Sequence, residues 1–178
     1  MPFAIRPAVF DDIPALTSLI DASVRVLGKS YYTDKQIESS IKYIFGVDTQ
    51  LLVDGTYYVV ESDGRIAACG GWSKRKTLYG GDQHKNTADP LLDPVIDAAR
   101  IRAFFVHPAF ARQGIGKMLI GFCENEALNH GFTRIELGAT LPGEPLYLAM
   151  GYQPLYRELC QMPDGQSMPV IKMYRELK

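Results

Sequence analysis

The sequence predicts an α/β or α+β domain with a single mixed, mostly antiparallel central sheet of about seven strands flanked by helices. Apolar residues alternate between helical and strand-like spacing along the chain, in the order β-α-α-β-β-β-α-β-α-β-β. The 178 residues are 47% hydrophobic and 22% charged, which suits one soluble domain over residues 1–178 with a sizeable core.

The N-terminal part predicts a strand followed by two amphipathic helices. Residues 3–6 are strand-like, and Asp11 or Asp12 then stands where the cap of a first helix belongs. Thr33 and Gln36 have the spacing of a capping box, which predicts the start of a second helix.

Two strand-like runs, at residues 57–61 and 66–72, enclose a Ser-Asp-Gly turn and predict a hairpin. Between residues 74 and 98 the periodicity disappears, and glycines and prolines interrupt the chain. Long irregular segments in compact domains are often functional, so we expect a mobile lid or partner-contacting loop at 74–98 that shapes the choice of substrate.

The second half of the chain predicts a strand, a long helix, a second strand, a short helix and a hairpin. The strands fall at about residues 100–106, 134–137, 154–159 and 169–174, the long helix runs from Ile115 to just before Gly131, and the short helix runs through Tyr147 and ends at Gly151.

Composition excludes several functional classes. With 19 basic and 20 acidic residues the net charge is -1, which argues against a nucleic-acid partner. No stretch is long and apolar enough for a membrane span or a signal peptide, so we expect a cytoplasmic protein without a membrane partner. The three cysteines are widely spaced, which indicates buried free thiols and no metal site.

The segment from Val106 to Leu119 carries the strongest functional signal. It ends an apolar strand, crosses a short loop and opens an amphipathic helix over Gly114 and Gly116. Because these glycines lack a Cβ, an anion can approach the unpaired N–H groups of the first helical turn. The segment therefore predicts a cradle into which a pyrophosphate fits.

A dinucleotide-binding fingerprint is the competing interpretation. Glu136 stands where its acidic residue belongs, but Leu119 occupies the position of the third glycine. The loop from His107 to Gln113 is also too long for a tight turn. We therefore rank this interpretation below the one that follows.

The same segment resembles the acetyl-CoA motif of the GCN5-related N-acetyltransferase (GNAT) family. That motif usually reads Q/R-x-x-G-x-G/A; here Ala111 takes its first position and Arg112 follows. The resemblance implies an acyl-CoA N-acyltransferase fold, a cofactor-binding core at about residues 100–152, and acetyl-CoA as cosubstrate.

In this family the strand before the cradle splays from its neighbour, and the cofactor binds its main chain and the following loop. By resemblance, the cofactor-binding residues are Phe104, Phe105 and Val106 on the strand, and Arg112, Gln113, Gly114, Ile115, Gly116 and Lys117 in the loop and first helical turn. Arg112 is the better candidate for a charge-assisted phosphate contact, and Lys117 is the weaker one.

The stretch PLYLAMGY resembles the second signature of the family, a helix with a tyrosine four residues before a glycine. Tyr147 is that tyrosine. The resemblance implies that it serves as general acid for the leaving thiolate, since a phenol has a pKa near 10. The alternative is an ordinary core tyrosine.

Candidates for the base and for the acceptor site are less specific. Glu136 lies where many family members carry an acidic residue that relays a proton, although a strand glutamate also often faces solvent. Tyr31, Tyr32 and Trp72 are polar aromatics in segments expected to face the acceptor. We predict that they contribute to substrate binding.

Together these features predict an N-acetyltransferase in which a small-molecule or peptide amine attacks acetyl-CoA directly. The alternative is a non-catalytic acyl-CoA-binding or regulatory domain on the same scaffold. Tyr147 favours the enzyme, because a pure binding domain has no evident need for a phenol there. A homodimer is a further expectation, since homodimers are common in the family.

Overall fold

The computed structural model describes residues 2–85 and 88–178. Its strands are β1 Ala4–Pro7, β2 Tyr57–Ser62, β3 Arg65–Ser73, β4 Ala99–Val106, β5 Arg134–Ala139, β6 Gln153–Gln161 and β7 Ser167–Glu176. They form one sheet in the order β1-β2-β3-β4-β5-β7-β6. Within the described residues, β4 and β5 are the one parallel pair. The predicted mixed, mostly antiparallel sheet of seven strands is therefore confirmed.

Five α-helices within the described residues cover the two faces of this sheet. They are α1 Ile13–Leu27, α2 Asp34–Tyr43, α3 Thr49–Asp54, α4 Ile115–Asn129 and α5 Glu144–Ala149. Helices α1 to α3 pack on one face around Leu16, Ile20 and Leu51, whereas α4 and α5 pack on the other around Leu119 and Ile120. Each fully buried leucine or isoleucine contributes roughly 1.5–3 kcal/mol to folding. The three cysteines are free and buried, as predicted.

The starts of the first two helices differ in how well they were predicted. The capping box is confirmed, because the Gln36 N–H donates to Thr33 Oγ1 over 3.1 Å and the Thr33 N–H donates to Gln36 Oε1 over 2.9 Å. Asp12 does not cap α1. Its carboxylate accepts the Val9 N–H, 2.8 Å away, and pairs with Arg6, so it stabilises a preceding 3-10 turn instead.

Helix α3 was not predicted. It has only six residues, and its buried residues Leu51 and Leu52 are adjacent, so the sequence contains no helical repeat to detect. Gly55 ends it with a φ of 72°. Among the described residues, no helix is both long and apolar enough to cross a membrane.

The two central strands separate after a very short contact. Strands β4 and β5 pair only through Ala99 with Ile135 and Arg100 with Glu136. Beyond this point β4 keeps its pairing with β3 but shifts register. Arg102 pairs with Gly71 and Phe105 with Cys69, so two residues of β4 lie opposite the single residue Gly70. The sheet therefore opens into a gap between the C-terminal halves of β4 and β5.

Candidate active site

A β-bulge in β4 lies at the edge of this gap. Ala103 adopts a φ of 52°, a left-handed conformation that is strained for a residue with a Cβ. The hydroxyl of the buried Tyr57 on β2 donates a hydrogen bond of 2.8 Å to the Ala103 carbonyl. The opposite residue on β3 is Gly70, where a Cβ would lie 2.2 Å from the Phe104 ring. Neighbouring strands thus hold the bulge in place.

Two cavities adjoin each other at the gap. The larger has a volume of about 170 Å³ and extends along α1 to Val106 and Leu146. The smaller has a volume of about 90 Å³ and extends towards Tyr79 and Gly138. Residues lining both are Phe45, Phe104, Phe105, Thr140, Gly143 and Tyr147. The predicted contacts Phe104, Phe105 and Val106 therefore all line the opening.

Tyr147 occupies this shared wall. Helix α5 buries its side chain to 8% exposure and packs its ring edge-on against Tyr152, with ring centroids 5.6 Å apart. None of the described residues hydrogen-bonds its hydroxyl. Burial raises the pKa of Tyr147 well above the ordinary value of 10.0, so its phenol keeps its proton at neutral pH. A protonated phenol at the junction of two cavities has the geometry of a proton donor.

The loop before α4 forms the cradle that the glycines predict. Arg112 and Gly114 both have positive φ, 64° and 80°, so the chain turns sharply before entering the helix. A Cβ at Gly114 would meet no atom within 4 Å, and Gly114 caps α4 without any side-chain hydrogen bond. The N–H groups of the first turn of α4 therefore face an open space suited to an anion.

The remaining residues of the predicted loop divide into exposed and buried groups. Arg112, Gln113 and Lys117 have exposed side chains, whereas Ile115 is buried in the core. Gly116 is buried for a different reason: a Cβ there would lie 2.8 Å from Leu146 Cδ2. The missing side chain at Gly116 thus lets α5 pack closely on the start of α4.

The predicted acceptor residues lie in different environments. Tyr32 lines the larger cavity, and its hydroxyl accepts the Leu141 N–H over 2.9 Å. Burial raises the pKa of Tyr32 to about 12. Tyr31 is 49% exposed and lines neither cavity. Its predicted role in acceptor binding is not supported by its position.

Trp72 is a core residue, which corrects its prediction as an acceptor contact. Its side chain is 0% exposed and packs against His130 and Phe132, with ring centroids 4.8 Å and 6.0 Å away. Strand β3 is buried on both faces at this point, so an aromatic residue there serves packing.

Glu136 is held away from the gap. Its Oε2 lies 2.9 Å from Arg100 Nη1 and 3.3 Å from Lys172 Nζ. Glu136 lines neither cavity, although Gly138, two residues further along β5, lines the smaller one. The carboxylate predicted as a base is therefore engaged in ion pairs.

A buried charge network beside the bulge was missed from the sequence. The Arg102 side chain is 0% exposed; its Nη2 lies 2.6 Å from Asp48 Oδ2 and its Nη1 lies 2.9 Å from Asp89 Oδ2. Ser73 Oγ accepts a further hydrogen bond of 3.0 Å, and Lys85 pairs with Asp48. A basic residue within the apolar run ARIRAFFV is the signal that could have indicated it.

The same network anchors the irregular segment at 74–98. Asp89 belongs to this segment, and Arg75 forms a second ion pair of 2.7 Å with Asp54. Gly80 and Gly81 of the segment line the smaller cavity together with Tyr79. These three residues thus form part of the wall of the smaller cavity, whereas residues 86 and 87 of the segment lie outside the described residues. Movement of the segment as a lid stays a prediction.

Comparison with known proteins identifies the family. The sequence profile of the acetyltransferase (GNAT) family matches residues 22–152, which is most of the chain. A search of curated proteins finds no match. The chain therefore belongs to the GNAT family of acetyltransferases, as its motifs predict, and is an acyltransferase by class.

Solved structures share the fold at low sequence identity. A GCN5-related N-acetyltransferase from Rhodopseudomonas palustris is 15% identical with a TM-score of 0.73, over 99% of this chain and 97% of that one. The PaiA N-acetyltransferase from Thermoplasma acidophilum, in complex with coenzyme A, is 15% identical with a TM-score of 0.64, over 99% of both chains. YncA from Salmonella typhimurium, a putative acetyltransferase with acetyl-CoA, is 16% identical with a TM-score of 0.65, over 100% of this chain and 95% of that one.

Proposed function

We propose that this protein is an acetyl-CoA-dependent N-acetyltransferase whose acceptor amine attacks the thioester directly. The observation that carries the proposal is the position of Tyr147. Its protonated phenol lies on the wall shared by two cavities, where β4 and β5 part, so a donor and an acceptor could approach it from opposite sides.

The residues around the larger cavity fit acetyl-CoA. The N–H groups at Gly114 and in the first turn of α4 would hold the diphosphate, with Arg112 beside them. The main chain of β4 from Phe104 to Val106 lacks a β5 partner and would hydrogen-bond the amide-containing arm. The solved relatives with coenzyme A or acetyl-CoA support the same cosubstrate.

Acetyl-CoA supplies an acetyl group activated as a thioester. The amine nitrogen forms a bond to the carbonyl carbon while the carbon–sulfur bond breaks, and the sulfur leaves with the bonding electrons. Tyr147 donates the proton that the sulfur gains, and the nitrogen releases its surplus proton through solvent, which restores the phenol. A main-chain N–H of β4 would stabilise the negative charge that develops on the carbonyl oxygen.

Direct attack agrees with the state of the cysteines. Cys69, Cys123 and Cys160 are buried, and none of them lines either cavity. Burial raises the pKa of Cys69 to about 12 and raises that of Cys123 as well, so neither is a thiolate at neutral pH. A cysteinyl acyl-enzyme therefore has no suitable nucleophile among them.

Two measurements on the purified full chain test the proposal. Calorimetry should detect acetyl-CoA binding. When amines are added one at a time with acetyl-CoA, free thiol should be released only with those that the enzyme accepts. Binding together with thiol release and an acetylated product would establish the transferase. Binding without turnover on any amine would favour the non-catalytic acyl-CoA-binding domain, and absence of binding would overturn both.

A further inference from the structure

The smaller cavity contains almost no charge. Of the described residues that line it or the larger cavity, Arg102 is the one charged residue. Its guanidinium already forms ion pairs with Asp48 and Asp89. Lys85 also pairs with Asp48, so two cations face two carboxylates. The network is neutral as a whole, so Arg102 has no free charge to offer a substrate.

Aromatic rings and glycine backbone form much of the wall that remains. Phe45, Tyr79, Phe104 and Phe105 contribute rings. The Tyr79 ring packs directly on the Gly138 backbone, since a Cβ at Gly138 would lie 2.8 Å from Tyr79 Cδ1. Such a wall favours a flat apolar group, because rings gain stacking and burial energy against one another.

The ionisable groups next to this wall do not add charge to the cavity lining. His84 stacks on the outer side of Tyr79 with ring centroids 5.3 Å apart, and burial lowers the pKa of His84, so it is neutral at neutral pH. The Glu158 carboxylate lies 3.5 Å from the Tyr79 hydroxyl but is exposed and lines neither cavity. Glu136 pairs with Arg100 and Lys172, and none of the three lines either cavity.

Resting on the proposed function, we propose that the acceptor is a small aromatic amine that carries no charge at neutral pH. An unpartnered charge is costly to bury, so a cavity without free counter-charges disfavours carboxylates and ammonium groups. The lone pair of an aromatic amine is conjugated with its ring, which keeps the nitrogen unprotonated at neutral pH. Such an acceptor needs no general base, and none of the described residues lining the smaller cavity is a carboxylate or histidine.

The transfer remains balanced without a base. The aromatic amine nitrogen forms the bond to the acetyl carbon as the carbon–sulfur bond breaks. The nitrogen releases one proton to solvent, the sulfur gains one from Tyr147, and solvent returns a proton to the phenolate. The products are an acetanilide and free coenzyme A.

The test compares three ring-containing amines with the full chain and acetyl-CoA. The isomers 4-methylaniline and benzylamine differ in nitrogen charge, and 4-aminobenzoate adds a carboxylate to the aromatic amine. We expect kcat/KM for 4-methylaniline to exceed both others by about tenfold or more at pH 7, measured by thiol release and product mass. Equal or better use of benzylamine, 4-aminobenzoate, lysine or spermidine would overturn the inference.

The two proposals fail in different ways. If acetyl-CoA binds and a charged amine is acetylated while 4-methylaniline is not, the acceptor inference is wrong and the transferase stands. If no amine is acetylated, both fail.

A pair of variants on one segment tests the wall itself. Tyr79→Ala should raise KM for 4-methylaniline by about tenfold while leaving acetyl-CoA affinity unchanged. Val95→Ala is the control, because Val95 is 88% exposed in the same segment and lines neither cavity. An unchanged KM in Tyr79→Ala would exclude the aromatic wall from acceptor binding.

Discussion

The Tyr57 hydroxyl donates a hydrogen bond of 2.8 Å to the carbonyl of Ala103, the residue of β4 with a φ of 52°. Tyr57 is 1% exposed and the bond is partly buried, so its loss would leave the Ala103 carbonyl without a protein donor. The contact ties the strained bulge to β2, two strands away from the gap.

Tyr57→Phe should therefore affect turnover as well as stability. We expect the free energy of unfolding to fall by about 1 kcal/mol, because the partly buried Ala103 carbonyl loses its donor. We also expect kcat to fall about tenfold, because the bulge orients the main chain of β4. Tyr58→Phe, on the opposite face of β2, is the control and should keep its kcat. A Tyr57→Phe enzyme with unchanged kcat would separate the bulge from catalysis.

Tyr147→Phe should lower kcat by roughly 10- to 1000-fold with little change in acetyl-CoA affinity, because the ring still packs and only the proton donor is lost. Tyr152→Phe is the control, because it removes a hydroxyl from the ring that packs against Tyr147. That hydroxyl donates to Glu124. Burial raises the pKa of Tyr147 well above 10.0. Deprotonation of this phenol should therefore not lower wild-type kcat between about pH 7 and about pH 10. Full activity of Tyr147→Phe at every pH would remove the phenol from the mechanism.

Gly114→Glu should abolish acetyl-CoA binding in calorimetry. The introduced carboxylate would occupy the anion cradle and repel the diphosphate, and positive φ adds strain for any side chain. Gly121→Glu is a matched control on α4, because a Cβ at Gly121 also meets no atom within 4 Å. A folded Gly114→Glu variant that keeps its affinity would show that the diphosphate binds elsewhere.

Glu136→Gln distinguishes the predicted base from an ion-pair partner. Because Arg100 and Lys172 hold the carboxylate outside both cavities, we expect the acidic limb of the kcat/KM profile to stay in place. The melting temperature should decrease slightly as the two cations lose their partner. Loss or displacement of the acidic limb would instead restore Glu136 as the base.

Acid pH should weaken the network around Arg102. Burial alone would raise the pKa of Asp89, but hydrogen bonds from the Thr77 N–H and Arg102 outweigh it, and the pKa is lowered from 3.8. The unfolded chain therefore binds this proton first, and the stabilisation is lost as pH falls below about 4 through the folded pKa.

Asp89→Asn should remove part of this acid dependence and cost about 1–3 kcal/mol at pH 7, measured by urea unfolding. Asp93→Asn, on an exposed part of the same segment, is the control. Parallel stability curves for wild type and Asp89→Asn between pH 2 and 7 would contradict this role.

The parts of the site that were predicted depend on local sequence. The turn before α4 requires a residue with φ of 80° at Gly114, and Tyr147 lies four residues before Gly151, so short motifs contain both features. The capping box at Thr33 is local in the same sense.

The parts that were missed depend on distant pairings. Arg102 and Asp48 are 54 residues apart, and Gly70 meets Phe104 only after β3 and β4 have paired in a shifted register. Trp72 was assigned to the wrong environment because β3 is buried on both faces, so its residues do not alternate between core and solvent.

The contact between Gly116 and Leu146 has a consequence for the choice of acyl donor. Leu146 packs where a side chain at Gly116 would stand, and the next residue is Tyr147, so the start of α4 and the phenol keep a fixed separation. In the proposed cofactor placement, a thioester would reach Tyr147 only on an arm long enough to leave its diphosphate at the start of α4. We therefore expect a truncated donor such as acetyl-N-acetylcysteamine, which has no diphosphate, to be used less well than acetyl-CoA.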